Sequence, residues 1–129
     1  MSEFYINRIL KKMTGTNDEN NIVLNTLKEL TEDDIHTICI IVEAKGITDP
    51  DAVAEIINNL DSYSVEFSVH NDFDLGRYWI NCICCDEKSD LNKYRYYIDY
   101  EHLAKDLLAT GIGEITPYGI MWYPDWNGF

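Results

Sequence analysis

Basic residues are what this chain has least of. Ten Lys and Arg stand against 23 Asp and Glu in 129 residues, a net charge of −13. A chain so charged repels nucleic acid and anionic membrane surfaces, so neither is expected as a partner. Long apolar runs are missing too: none approaches the length that spans a bilayer. The start, MSEFYINRILKKMTG, lacks the order of a secretion signal, because Glu3 comes early and the basic residues follow the apolar ones. A cytoplasmic location is expected. Cysteine is sparse, at Cys39, Cys82, Cys84 and Cys85. Three of them fall in the run CICC and no second cluster completes four ligands, which argues against a zinc site, and a cytoplasmic protein rarely carries disulfides. The phosphate loop, the G-x-S-x-G elbow, the H-E-x-x-H zinc motif and the twelve-residue calcium loop do not occur. No metal, no cofactor and no catalytic residue is expected, and the protein is read as a non-enzyme.

Hydrophobic residues are present in quantity, at 46%, enough for a core. The densest feature is YRYYIDYEHLAKDLLATG, Tyr94 to Gly111. Asp99 reads as an N-cap; Leu103, Leu107 and Leu108 share a helical face; Gly111 supplies the stop. The tyrosines before it suggest a strand running into an amphipathic helix, with their rings packed in the core and their hydroxyls wet. His102 reads as a first-turn residue beside its own cap rather than as half of an acid–base pair.

Ahead of this stretch the pattern is helical. Met1 to Met13 suits a strand or a short helix, and TGTNDENN (Thr14 to Asn21) reads as a connector. Ile22 to Leu30 reads as a helix. Thr31 caps the next, with Glu32, Asp33 and Asp34 in its first turn and Gly46 at its end. Asp49-Pro50 opens a third, with Val53, Ile56, Ile57 and Leu60 as its buried stripe. At Asp61 the period changes: Tyr63, Val65, Phe67 and Val69 alternate with polar residues, as in a half-buried strand. A short helix is expected over Asp72 to Ile80 with Asp72 or Asp74 as cap. Asn81 to Cys85 suits a helix end or a buried strand, Asp86 to Asn92 a loop, Ile115 to Tyr123 a closing strand. The sum is an α+β protein: residues 1–21 an appendage and connector, 22–60 a small three-helix lobe, and 61–129 a compact strand–helix domain with a small antiparallel sheet.

The acids are not spread evenly. From Glu29 to Gly76 there are 12 acidic residues and one basic residue, Lys45. Between Lys45 and Arg77 the charged residues are Asp49, Asp51, Glu55, Asp61, Glu66, Asp72 and Asp74. Ordinary solvated faces mix signs and form i,i+4 pairs. A folded segment of one sign repels itself, which points to a partner with a basic surface.

Three stretches in this order resemble the ArdA family of antirestriction proteins: LKELTEDDIHTICIIVEAKGITDPDAVAEIINNLDSYSVEF, then DLGRYWI, then YIDYEHLAKDL. Residues 1–24 precede the matched part, where ArdA proteins carry an N-terminal α/β domain, so the resemblance is to a shortened member. It implies an acidic mimic of bent DNA, carried by phages or mobile elements, that occupies the DNA-binding groove of type I restriction–modification enzymes. The shortening leaves open an inhibitor of an RNA-guided nuclease that blocks its DNA- or PAM-binding channel. A protein-interaction module built on the aromatic tail, with Trp122 and Trp126, is a further alternative. The resemblance also implies a homodimer through the C-terminal domain. The carboxylates expected to stand in for phosphates are Glu32, Asp33, Asp34, Asp49, Asp51, Glu55, Asp72 and Asp74, with Glu101 and Asp106 extending the set.

Overall fold

The computed structural model describes residues 2–84 and 96–124. Cys85, the loop expected at Asp86 to Asn92, Tyr94 and the tail from Asp125, including Trp126, lie outside them. The fold is α+β, in two compact units, Met1–Val65 and Glu66–Phe129.

The first unit is helical: α1 (Ser2–Lys12), α2 (Asn17–Lys28), α3 (Glu32–Lys45) and α4 (Pro50–Asn58). Its centre is α3. The run IHTICIIV leaves no polar stripe, and Ile35, Ile38, Cys39, Ile40, Ile41 and Val42 are all buried. A helix apolar on all sides must be surrounded, and α1 and α4 both pack on it. Val53 and Ile56 of α4 are buried; each such side chain contributes about 1.5–3 kcal/mol relative to exposure. The segment read as a strand or a short helix is helix α1, with Ile6 and Ile9 buried. Lys12 Nζ lies 3.1 Å from Glu43 Oε2, and the Tyr5 ring stacks on His36 at 4.2 Å between centroids. Residues 1–21 are therefore part of the helical unit, and α2 begins inside the expected connector, capped by Thr16. Ile22, counted on the apolar face of α2, is 67% exposed.

The local signals around α3 and α4 act as read. Thr31 Oγ1 accepts the Asp34 N–H at 3.2 Å, and Asp49 Oδ1 accepts the Asp51 N–H at 3.1 Å with Pro50 behind it. Gly46 closes α3 at φ 64°, a left-handed conformation that a Cβ disfavours.

The second unit contains α5 (Asp72–Tyr78), which continues as a wider π-helical turn over Trp79–Cys84, then α6 (Tyr100–Ala109) and the strands β2 (Gly113–Thr116) and β3 (Gly119–Trp122). With β1 (Ser64–Glu66) these strands form a small antiparallel sheet in the order β1–β3–β2. Val69, Leu75, Ala104, Leu107, Ile112 and Ile120 make the core of this unit. Helices α5 and α6 touch closely because residue 76 is glycine: a Cβ there would overlap the Tyr100 backbone carbonyl. DLGRY and YIDYE, which lie well apart in sequence, are thus one packed contact.

Four expectations need correction here. The cap of α5 is Asn71, not Asp72 or Asp74: its Oδ1 accepts the Asp74 N–H at 2.9 Å, while Asp74 Oδ2 reaches back to the His70 N–H at 3.1 Å. The alternating stretch Tyr63 to Val69 pairs only over Ser64–Glu66, because Phe67 and Ser68 turn the chain. The closing strand is a hairpin, with Gly113 opposite Trp122 and Thr116 opposite Gly119. Its tight turn at Pro117-Tyr118 is held by Thr116 Oγ1, which accepts the Tyr118 N–H and donates to the Gly119 carbonyl. Directly before α6, residues 96–99 hold no strand: Tyr96 and Tyr97 sit in a short 3₁₀ turn, 91% and 85% exposed. Those two rings face water instead of filling the core.

Candidate functional site

The expected carboxylates divide by what holds them. In the first unit Glu32 and Asp33 are exposed at the start of α3, and Asp34 is half-buried. Asp49 is exposed, with one oxygen occupied by the backbone of α4. Asp51 and Glu55 are exposed one turn apart on α4, about 6 Å along its axis. In the second unit Asp72 and Asp74 are half-buried, and Asp74 closes the cap of α5. Glu101 and Asp106 are exposed on α6. Asp106 lies 3.6 Å from His102 Nε2, an ion pair only when that imidazole is protonated.

Helix electrostatics accounts for several of these acids without a partner. Glu32, Asp33, Asp34, Asp51, Asp72, Asp74 and Glu101 lie in first turns, where the unsatisfied N–H groups favour a negative charge by about 0.3–1 kcal/mol each. Glu55 and Asp106 have no such reason. Both sit in the C-terminal halves of their helices, where the dipole disfavours an anion, and neither helix has a basic residue in its last turn. Glu55 also repels Asp51 at i,i+4. Among the described residues, no Lys or Arg pairs with any of the ten expected carboxylates. Asp51 and Glu55 share one face of α4, and Asp49 and Asp74 are engaged by backbone.

The Cys39 thiol is buried in α3, and burial, then the nearby Glu43, pushes its pKa up to about 12. A thiol held protonated is a poor nucleophile and a poor ligand. Among the described residues no cluster of three or more His, Cys, Asp and Glu could hold a metal ion.

The second unit also contains a feature that sequence reading passed over. Phe73, Arg77 and Asn81, at i, i+4 and i+8, line one wall of a cleft of about 500 Å³; Tyr96, Ile98 and Tyr100 line the other. The Phe73 ring meets Tyr100 edge-on at 5.5 Å, and the Arg77 guanidinium lies over the Phe73 ring, 5.7 Å from its centroid. The i,i+4,i+8 spacing was legible in DFDLGRYWIN, but it needed the helix to continue past Tyr78.

No family model, characterised protein or solved structure matches this chain.

Proposed function

We propose that the protein is a non-enzymatic DNA mimic that inhibits a host-defence nuclease, a type I restriction–modification enzyme first of all, by occupying its DNA-binding groove. The observation that carries this reading is the set of exposed carboxylates that the fold does not need. Glu55 and Asp106 stand at unfavourable helix positions, Asp51 and Glu55 repel each other, and among the described residues no Lys or Arg neutralises them. Charges kept at an energetic cost to the free protein are expected to be returned by a partner. Duplex DNA presents one negative charge per about 1.7 Å of axis, and a groove built to hold it is lined with Lys and Arg. Carboxylates fixed on helices offer such a groove its preferred ligand without bases or sugars.

The mechanism needs no bond to be made or broken. Long-range attraction steers the acidic protein toward the basic groove. Contact replaces the counterions on both surfaces and excludes DNA. In the proposed arrangement Glu32, Asp33, Asp51 and Glu55 present charge from the first unit and Glu101 and Asp106 from the second. Asp34 and Asp72, half-buried in first turns, contribute field, as do Asp49 and Asp74 while holding their helix ends. The homodimer stays within this proposal, as a means of repeating the acidic set along a longer groove.

The test is a fourfold variant, Glu32→Gln, Asp33→Asn, Asp51→Asn and Glu55→Gln, assayed for inhibition of a type I restriction enzyme. Inhibition is expected to disappear while circular dichroism and the melting profile show an intact fold. A folded variant that inhibits as well as the parent rejects the reading. Running the same pair against an RNA-guided nuclease separates the two targets.

A further inference from the structure

The cleft between α5 and the Tyr96–Tyr100 segment has a chemistry that the acidic surface does not explain. Among the described residues its one charged lining residue is Arg77, the first cation in the chain after Lys45. Arg77 makes no hydrogen bond or ion pair with any described residue. Asp74, three residues before it, has one carboxylate oxygen on the His70 N–H, and Asp99 has one on the His102 N–H. Arg77 is instead held over the Phe73 ring, which orients the guanidinium plane and leaves its N–H fork unspent. The remaining walls are the rings of Phe73, Tyr96 and Tyr100, the aliphatic Ile98, and the Asn81 amide.

We infer that this cleft binds a small aromatic monocarboxylate. The carboxylate is taken by the Arg77 fork, which matches its two oxygens in a planar, bidentate pair. The ring of the ligand lies among Phe73, Tyr96 and Tyr100, where offset or edge-on aromatic contacts are favourable. The volume fits a ligand of this size, since small-molecule sites begin at about 300 Å³. The surrounding charge sets the class further. At a net charge of −13 the protein repels polyanions, so nucleotides and phosphate esters with two or more charges are disfavoured. A single carboxylate on an apolar body suffers least from that field, which is screened within about 8 Å at physiological ionic strength. This inference does not rest on DNA mimicry, and the two can fail separately.

Three probes share one ring and differ in charge: 4-hydroxyphenylacetate, its neutral amide 4-hydroxyphenylacetamide, and the cation tyramine. The full chain is titrated with each while the NMR signals of the Arg77 guanidinium and of the Phe73 and Tyr100 rings are followed. The acid is expected to shift these signals saturably and to bind at least about tenfold more tightly than the amide, the ratio for one charge-assisted pair. Tyramine is expected to bind more weakly still. Arg77→Gln should remove the preference for the acid, and Arg77→Lys should keep the charge but lose most of the affinity with the fork. Arg8→Gln, in the other unit, should leave binding unchanged. Equal binding of acid and amide, tighter binding of tyramine, or no saturable shift in the parent chain overturns the inference without recourse to any variant.

Discussion

Glu55 is the residue at which stability and proposed function pull apart. It follows Asp51 by one helical turn, and its helix ends without a basic residue. Removing its charge relieves an i,i+4 repulsion worth about 0.2–0.5 kcal/mol. Glu55→Gln is therefore expected to raise the urea midpoint slightly while weakening inhibition of the restriction enzyme. A lower midpoint would show that the fold uses this charge. Cys39 gives a second prediction at this scale. Burial favours the neutral thiol, so its folded pKa, about 12, lies above the ordinary value of 9.0. Between those values the unfolded chain ionises and the folded one does not, so the contribution of Cys39 is intact below about pH 9 and is lost as pH rises toward about 12. Alkylation of Cys39 in the native protein at neutral pH should be far slower than in urea. A rate equal to that of a free thiol would contradict the burial.

The helix ends show what local sequence can specify. Thr31, Asp49 and Asp99 act as caps where they were read, because a cap depends on residues within three positions of itself. Asn71 was missed for a reason of the same kind. The extended backbone is at Asn71, at φ −156° and ψ 177°, whereas Asp72 and Asp74 already lie within the helix. Replacing Asn71 is a direct test: Asn71→Ala should destabilise the protein by about 1 kcal/mol in denaturant melts, and Asn71→Ser, which keeps a capping oxygen, should not. The strands were less legible. Ile115 to Tyr123 reads as one strand by composition, yet Pro117 and Tyr118 form the turn of a hairpin and Ile115 pairs with Ile120. Alternation from Tyr63 to Val69 describes which residues face inward, and Val69 is indeed buried. It does not say where pairing stops, since that depends on the length of the partner strand. The tyrosines were misplaced for a similar reason. Aromatic content alone does not distinguish a ring in the core from one on a surface turn, and Tyr96 and Tyr97 are on the turn.

At the scale of the whole chain, charge dominates. An inhibitor that works by filling a basic groove must lose affinity as salt rises, with a slope set by the number of ion pairs formed. Inhibition measured across a salt series should fall steeply for the parent chain and less steeply for the fourfold neutral variant. A flat response in the parent would favour a surface built on the exposed aromatic rings instead. The sequence by itself determined the α+β class, the positions of α3, α4 and α6, the caps at Thr31, Asp49 and Asp99, and the one-signed run between Lys45 and Arg77. These depend on period, composition and contacts a few residues long. Only the tertiary structure decided that α1 belongs to the helical unit, that Gly76 brings DLGRY against YIDYE, and that Arg77 keeps its donors unspent over Phe73. The first two depend on groups distant in sequence meeting in space; the third depends on which neighbours the fold brings within reach of the guanidinium.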